Sequence, residues 1–366
     1  SLLRRGGSVS HPGGEAAAAK WPPIGVEDAR ANVLSVIAPC RNEQGYIEDF
    51  CRNVATMQLP QDWTLEVLIA DGRSDDGTRE LLNRWCALDR RFRWVDNPQR
   101  IVSTGLNRCI EASSGAVIVR LDIHSQYAPD YFVQCVKTLR TTGADNVGGA
   151  WRAEGRTSMQ KSVAAAFQSP WVAGGARSRD VHYDGEVDTV YLGCWPRATL
   201  VKVGGFDEQL VRNQDDEHNL RIRRAGGKIW QSSNIWSTYF PRGQLGQVFR
   251  QYSQYGYWKP FVMKKHGQPA ALRQLVPAVF VVALVFAVLL ALAWSAWPLI
   301  LLLVAYGGLH VLALIGMRKQ LSADMIGPVM AVIGAYHIGY GWGTICGWRD
   351  ILWGRGPQAR WGALTR

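Results

Sequence analysis

Short apolar runs that alternate with helical patterns set the strongest limit on how this chain can fold. The candidate strands are residues 33–39, 65–70, 93–95 and 115–119. The candidate helices between them are residues 46–57, 78–88 and 103–112. Strands that alternate with helices at this spacing predict an α/β fold with an open, mostly parallel sheet and right-handed crossovers. Ligands of such sheets bind beyond the carboxyl ends of the strands.

Three candidate strands end in polar residues. Asn42 and Glu43 follow the first strand, Asp71 follows the second, and Asp122 and His124 follow the strand at 115–119. Side chains two residues apart on an extended backbone point to the same side, so Asp122 and His124 can converge on one ligand. An isolated pair of this kind is more simply explained as ordinary strand-end polarity. Three polar groups at one edge of a sheet favour a common site.

The chemistry of Asp122 and His124 suits a divalent metal ion. A carboxylate oxygen and an imidazole nitrogen are both ligands of such ions, and the ion can neutralise a diphosphate. The pair therefore predicts a metal–diphosphate site at the end of the strand.

Three motifs in this order resemble family 2 glycosyltransferases. They read Ala-Pro-Cys-Arg-Asn-Glu at 38–43, Ala-Asp-Gly-Arg-Ser-Asp-Asp-Gly-Thr at 70–78 and Leu-Asp-Ile-His at 121–124. The resemblance covers about residues 33–256 and is greatest to bacterial exopolysaccharide glycosyltransferases of the succinoglycan type. It implies a GT-A fold, which is Rossmann-like with a mostly parallel sheet, and inverting transfer from a nucleotide sugar.

The resemblance also implies roles for single residues. The first motif lines the nucleotide pocket, and its site residues here are Pro39, Arg41 and Glu43. Asp71 contacts the base or ribose. Asp122 and His124 stand where the family has the D-x-D motif, which binds the metal–diphosphate. Because His replaces the second Asp, the site carries less negative charge, and its nitrogen ligand favours Mn²⁺ over Mg²⁺.

A carboxylate run, Asp215-Asp216-Glu217, opens a candidate helix that ends in the basic run 221–224. Any one of the three carboxylates could simply cap the helix. An inverting transfer, however, needs a carboxylate to take the proton of the acceptor hydroxyl. The resemblance aligns Gln214-Asp215 with the family's Glu-Asp pair, which makes Asp215 the general base and Asp216 the alternative if the register differs by one. Glu217 could either support the catalytic residues or serve the fold alone. We expect the basic run to form a solvated or lipid-facing surface.

Residues 244–258 have aromatic and apolar side chains at helical spacing, flanked by Arg250 and Lys259. This pattern predicts a helix lying in a membrane interface, with packing in the protein core as the alternative. Gln254 and Trp258 have the spacing of the R/Q-x-x-R-W motif that holds the acceptor in processive family members. Tyr257 replaces its Arg, which argues against a processive polymer synthase. Lys259 could supply the missing charge to a diphosphate.

The C-terminal part of the chain is the most apolar. Residues 277–293 and 297–316 carry no charge, and each is near the roughly 20 residues that cross a bilayer. Basic residues precede the first run and follow the second, so both flanks are expected in the cytoplasm. A third run, 325–346, would leave its following arginines outside, so a re-entrant or interfacial position is the alternative.

Composition narrows the partners. The formal net charge of +11 suits an anionic membrane surface or an anionic substrate. No nucleic-acid-binding motif is present, so we expect no nucleic acid partner. The seven cysteines are scattered without a C-x-x-C pair, which favours a reducing compartment.

Together these features predict a membrane-bound glycosyltransferase on the cytoplasmic face of a bacterial inner membrane. It would use a nucleotide-sugar donor, with UDP expected, and Mn²⁺ or Mg²⁺. The acceptor would be a membrane lipid or a lipid-linked saccharide, in exopolysaccharide or glycolipid biosynthesis. A polyprenyl-phosphate sugar transferase and a non-catalytic membrane scaffold are the alternatives. The predicted domains are a flexible tail at 1–30, a GT-A domain at 31–243, interface helices at 244–272, a membrane domain at 273–348 and a basic tail at 349–366.

Overall fold

The computed structural model describes residues 29–269, 271–358 and 361, so most of the tail predicted at 1–30 lies outside the described residues. The strands are β1 Arg30–Cys40, β2 Thr64–Asp71, β3 Phe92–Asp96, β4 Gly115–Arg120, β5 Gln126–Tyr127, β6 Asn146–Gly149, β7 Trp151–Ala153, β8 Gly185–Glu186, β9 Tyr191–Pro196, β10 Ile229–Gln231 and β11 Ser237–Tyr239. The α-helices are α1 Ile47–Thr56, α2 Thr78–Leu88, α3 Val102–Ala112, α4 Tyr131–Thr142, α5 Ser158–Gln168, α6 Pro170–Ala173, α7 Arg197–Val203, α8 Gln214–Arg224, α9 Leu245–His266, α10 Val276–Ala293, α11 Trp297–Met317 and α12 Ile326–Leu352.

The main sheet has the order β3-β2-β1-β4-β9-β6-β10-β8. Strands β3, β2, β1 and β4 are parallel to one another, as are β6 and β10, whereas β9 is antiparallel to both of its neighbours. Cys40 lies opposite Asp71 in the β1–β2 register, and Ile37 lies opposite Arg120 in the β1–β4 register. The carboxyl ends of β1, β2 and β4 therefore meet at one edge, as the sequence predicts.

Both faces of this sheet are covered. Val36 of β1 belongs to a core formed with α1, α2 and α4, and its neighbour Ile37 belongs to a core formed with α3 and α7. Successive side chains of a strand point to opposite faces, so a strand covered on both faces is apolar at nearly every position. This explains why β1 appears in the sequence as a continuous apolar run.

Residues 146–153 form two consecutive strands that belong to two different sheets. Strand β6 belongs to the main sheet, and β7 belongs to a three-stranded sheet of the order β5-β11-β7. A side-chain carbon at Gly149 would lie 1.4 Å from the carbonyl oxygen of Ile235, so only glycine fits where the chain passes between the sheets. The small sheet stands beside the carboxyl edge of the main sheet through β5, which follows Asp122 and His124.

Helices α9 and α12 pack against each other over much of their length. A side-chain carbon at Gly256 would lie 2.0 Å from the carbonyl oxygen of Tyr340, and one at Gly343 would lie 2.0 Å from that of Ser253. The two backbones can approach this closely because both positions are glycine. Tyr252, Tyr257 and most residues between them are buried, which favours the core-packing alternative for this helix.

Two helices are long and apolar enough to cross a membrane among the residues that the structure describes. These are the segments Leu272–Ala293 and Trp297–Met317, each of which contains an 18-residue stretch of high mean hydropathy, 3.1 in the first and 2.3 in the second. Both expose large apolar side chains such as Phe286 and Leu301. Helix α12 does not share this exposure, because α9, α10 and α5 cover much of it.

The α9–α12 contact gives a first prediction. Gly343→Ala should lower the free energy of unfolding by about 2 kcal/mol, because the added methyl group must push two helix backbones apart. Gly334→Ala on the same helix has no atom within 4 Å of the added carbon. It should leave stability unchanged or raise it, since Ala favours helices by up to about 1 kcal/mol. Thermal unfolding in detergent compares the two variants, and equal behaviour would contradict the close contact.

Candidate active site

A cavity of about 650 Å³ opens at the carboxyl edge of the main sheet and continues between the C-terminal helices. Residues from both halves of the chain line it. The lining residues at the sheet edge include Pro39, Arg41, Glu43, Gly72, Arg120, Asp122, His124, Tyr191, Asp215 and Asp216. Those from α9 to α12 include Tyr252, Tyr255, Lys259, Pro277, Phe280, Tyr306, Leu309, Tyr336 and Tyr340.

The loops after β1 and β2 form the first wall of the cavity and hold each other in place. The Asn42 amide donates to Ser74 Oγ at 2.9 Å, and the Glu43 amide donates to Thr78 Oγ1 at 2.9 Å. Asn42 itself has a positive φ of 54°, a conformation that Asn tolerates better than most residues. The two motifs that carry the resemblance thus form one connected surface.

Asp71 is not among the residues that line the cavity. Its side chain is fully buried and accepts hydrogen bonds from Ser74 Oγ at 2.5 Å and Arg79 Nε at 2.6 Å. Arg79 also donates to Asp96 at 2.8 Å. The carboxylate therefore fixes the turn after β2, and Gly72 provides the surface next to it.

Asp122 and His124 line the cavity together, as predicted from their spacing. The Tyr127 hydroxyl accepts from the Asp122 amide at 2.7 Å and lies 2.9 Å from the Asp122 carbonyl oxygen, which fixes the backbone. His124 Nδ1 lies 3.8 Å from Glu43 Oε1. Burial is the main cause that lowers the pKa of His124 below its ordinary value of 6.5. The imidazole is thus neutral at neutral pH, the form in which a histidine ring can bind a metal ion.

A divalent ion fits this donor set only with help from a substrate. No group of three or more His, Cys, Asp or Glu residues is arranged to hold an ion among residues 29–269, 271–358 and 361. Asp122 and His124 would supply one oxygen and one nitrogen, which suits Mn²⁺. The oxygens of a diphosphate and water would complete its coordination.

Asp215 and Asp216, at the start of α8, are in different electrostatic states. Lys259 forms an ion pair with Asp216, and although burial raises the pKa of Asp216, this cation brings it below 3.8. Burial and then the charge of Asp216 raise the pKa of Asp215 above 3.8. Asp215 accepts a 3.0 Å hydrogen bond from the Asp216 amide. A carboxylate with a raised pKa is the better proton acceptor of the two.

Gln254 and Trp258 are not brought to the cavity, whereas Lys259 is. Gln254 Oε1 accepts from Arg212 Nη2 at 3.3 Å, and Trp258 Nε1 donates to the carbonyl oxygen of Trp361 at 3.1 Å. Residues four apart share one face of a helix, and this face of α9 packs on the protein rather than on a substrate. The loop before Asp215 is held there through Arg212.

Several basic residues of the cavity do not follow from the sequence motifs. They are Arg120, Arg212, Arg242 and Arg273. Arg179, in the glycine-rich loop 174–179, also lines the cavity, and its guanidinium lies 5.1 Å from the centre of the Trp151 ring. Arg273, just before α10, pairs with Asp188. The one feature of the sequence that could have indicated Arg120 is its position, because it is a charged residue at the end of the apolar strand β4.

Glu217 ties α8 to the end of α9. Its carboxylate is fully buried and accepts from Arg221 Nε at 3.0 Å, Lys265 Nζ at 2.8 Å and His266 Nε2 at 2.9 Å. Of the two roles open for Glu217, these contacts favour the structural one. The expectation of a solvated or lipid-facing surface is wrong for Arg221, because Glu217 and the carbonyl oxygen of Gly205 (2.5 Å) bind it inside the protein.

The fold is that of a GT-A glycosyltransferase. The mannosyltransferase PcManGT from Pyrobaculum calidifontis, solved in complex with GDP-Man and Mn²⁺, superposes with a TM-score of 0.53 at 18% identity. The match covers 89% of this chain and 91% of that chain. The predicted fold class is therefore confirmed.

The chain belongs to glycosyl transferase family 2. The family model described as Glycosyl transferase family 2 matches residues 35–196. The chain is 32% identical over 322 residues to succinoglycan biosynthesis protein ExoA of Rhizobium meliloti, covering 87% of this chain and 94% of that protein. It is 24% identical over 246 residues to a dolichyl N-acetyl-α-D-glucosaminyl phosphate 3-β-D-2,3-diacetamido-2,3-dideoxy-β-D-glucuronosyltransferase of Methanococcus voltae, covering 64% and 75%. The predicted family is confirmed.

The Glu217 contacts give a second prediction. Burial raises the pKa of Glu217, but His266, Arg221 and Lys265 lower it to about 2 from 4.5. A lowered pKa stabilises the fold above pH 4.5, and this contribution is lost as the pH falls toward 2. Glu217→Gln should therefore cost about 3 kcal/mol at pH 7.

Thermal unfolding in detergent at pH 7, 5 and 3 measures this effect against wild type. The difference should shrink at pH 3, and Glu111→Gln, an exposed carboxylate of α3, should show none. A pH-independent difference would contradict the role of the ionised carboxylate.

Proposed function

We propose that this glycosyltransferase moves a sugar, with inversion, from a nucleotide-diphosphate donor to a lipid or lipid-linked saccharide at a membrane. The observation that carries the proposal is the single cavity that joins the sheet edge to the apolar helices. One end presents the loops after β1 and β2 with Asp122 and His124. The other end is lined by apolar and aromatic residues of α10, α11 and α12.

The donor would occupy the sheet edge. Pro39, Arg41 and Glu43 line the nucleotide end of the cavity, and Asp71 supports it by fixing the turn next to Gly72. Asp122 and His124 would hold a divalent ion, Mn²⁺ or Mg²⁺, which when bound neutralises the diphosphate and makes it a better leaving group. UDP is the expected nucleotide.

Asp215 is the proposed general base. It takes the proton of the acceptor hydroxyl while that oxygen forms a bond to the anomeric carbon. The bond from this carbon to the β-phosphate oxygen breaks on the opposite face, and its electron pair leaves with the nucleoside diphosphate. Beyond the effect of burial, two neighbouring charges act on the pKa of Asp215 in opposite directions: that of Asp216 raises it and that of Lys259 lowers it.

The acceptor would enter from the helix end. Phe280, Tyr306 and Leu309 offer an apolar wall for a lipid chain, and Tyr252 and Tyr255 of α9 also line the cavity. The names of two relatives, one acting in succinoglycan biosynthesis and one on a dolichyl-linked sugar, support a lipid-linked saccharide as acceptor. Lys264 and Lys265 precede α10, and Arg318 and Lys319 follow α11, which supports a cytoplasmic catalytic face. A bacterial inner membrane is the proposed location.

The role of Asp215 gives a third prediction. Asp215→Asn should lower kcat by about 10²–10⁴-fold, the range for loss of a general base. Asp216→Asn should retain more activity, because Asp216 forms an ion pair with Lys259 and is not the proposed proton acceptor. Transfer would be measured in purified membranes with UDP- and GDP-sugars, with Mn²⁺ or Mg²⁺, and with extracted lipid-linked acceptors.

The same assay separates the alternatives. Full activity of Asp215→Asn would favour a polyprenyl-phosphate sugar transferase, whose anionic acceptor needs no base. A larger loss in Asp216→Asn would give the base role to Asp216. If neither transfer nor donor hydrolysis occurred with any nucleotide sugar, the result would favour the alternative of a non-catalytic membrane scaffold.

The raised pKa of Asp215 gives a fourth prediction. Activity requires the ionised carboxylate, so kcat should fall with decreasing pH, with a midpoint above the ordinary value of 3.8. The charge of Lys259 lowers the pKa of Asp215, so Lys259→Met should move this midpoint to higher pH. Lys137→Met, on the exposed face of α4, is the matched control and should leave the profile in place. An unmoved midpoint in Lys259→Met would contradict the coupling.

A further inference from the structure

Arg120 is a buried cation that uses only part of its hydrogen-bonding capacity. Its side chain is 8% exposed, and it lines the cavity. Nη2 donates to Asp122 Oδ1 at 3.2 Å. Nε and Nη1 are buried without a hydrogen-bond partner among the residues that the structure describes. The contact with Asp122 orients the planar guanidinium and leaves two of its nitrogens able to donate to other acceptors.

Leaving charged donors buried and unsatisfied costs free energy. Buried donors are nearly always satisfied in native proteins, so an exception at a cavity calls for an acceptor that a ligand brings. Guanidinium groups prefer phosphate and carboxylate oxygens, which they bind through short charge-assisted hydrogen bonds. The missing partner of Arg120 is therefore an anionic oxygen.

The position of Arg120 indicates which anion this is. Arg120 ends β4, two residues before Asp122, and the charge of Asp215 also acts on it. It is thus near both the proposed diphosphate site and the proposed base, where the donor bond breaks. Asp122 and His124 provide few ligands for an ion, so cations of the chain must match part of the diphosphate charge. The basic residues around the cavity outnumber the acidic ones.

We propose that the guanidinium of Arg120 binds the β-phosphate of the donor, with Nη1, which is next to the Asp122-bound Nη2, as the contacting nitrogen. This inference rests on the donor class proposed above. The negative charge that collects on the leaving oxygen is then met by a fixed guanidinium as well as by the ion at Asp122 and His124. Such a pre-oriented charge stabilises the departing group without reorganisation.

A second role for Arg120 would be to position Asp122 without touching the substrate. The two roles differ in their dependence on Asp122. An effect transmitted through Asp122 disappears once that carboxylate is gone, whereas a direct contact persists. They also differ in the ligand, because a β-phosphate contact acts on nucleoside diphosphates and not on monophosphates.

Calorimetric binding to the full chain in detergent tests the proposal. UDP, UMP, GDP and GMP are titrated into wild type, Arg120→Met, Asp122→Asn and the double variant, each with Mn²⁺ and with EDTA. In EDTA, Arg120→Met should weaken diphosphate binding about 30-fold, which corresponds to roughly 2 kcal/mol. It should leave monophosphate binding unchanged, and the loss should recur in the Asp122→Asn background. Arg120→Lys should recover part of the affinity, because it keeps the charge without the planar fork.

Three results would overturn the proposal. These are an unchanged affinity of Arg120→Met for UDP and GDP, an effect that vanishes in the Asp122→Asn background, and an equal loss for monophosphates and diphosphates. If the wild-type protein bound none of the nucleotides, the proposed function as a nucleotide-sugar transferase would be contradicted. The inference about Arg120, which depends on that function, would then fail as well. Thermal unfolding of the ligand-free variants checks the fold, and Arg84→Met, an exposed arginine of α2, should match wild type in every titration.

Discussion

The buried carboxylate of Glu217 joins the catalytic domain to the long helix that precedes the apolar segment. Glu217 stands on α8, two residues after Asp215, and three basic groups surround it: Arg221 on its own helix and Lys265 and His266 at the end of α9. Because the carboxylate is inaccessible to water, its charge depends on these partners. The position of the candidate base is therefore fixed relative to α9, and α9 is in turn fixed to α12 by glycines at their contact.

This arrangement explains why one cavity can have two chemically different ends. The sheet places polar loops at its carboxyl edge, as open α/β sheets do, and α9 spans from that edge to the apolar helices. The residues of α9 that face the cavity, among them Tyr252, Tyr255 and Lys259, change from aromatic to cationic near Asp216. A ligand with an apolar chain and a polar head matches such a gradient.

The parts of the fold that depend on local pattern were predictable. Strands β1, β2 and β4 are apolar at most positions because both faces of the sheet are covered, and the polar residues after them mark the edge. The parts that depend on distant contacts were not. The break at Gly149 follows from the carbonyl group of Ile235, which is far away in the sequence. The burial of α9 depends on the close approach of α12. The glycines of both helices permit this contact, but their presence in the sequence is not enough to predict it.

The same distinction holds for the candidate site. Asp122, His124 and Asp215 were found from motifs and do line the cavity, whereas their roles stay proposals. Asp71, Gln254 and Trp258 have the expected spacing, yet their side chains are used in contacts within the protein. Spacing shows which face of an element a residue shares, but not whether a substrate or another part of the chain covers that face.

The ion pair between Arg273 and Asp188 has a mechanical consequence. Arg273 stands at the start of the segment Leu272–Ala293, and Asp188 lies in the loop just before β9, beside the cavity. Helices respond to a mismatch between their apolar length and the bilayer thickness by tilting. A tilt of α10 must therefore either drag this loop along or break the pair. In the proposed membrane-bound state, the thickness of the bilayer would in this way be linked to the shape of the cavity wall.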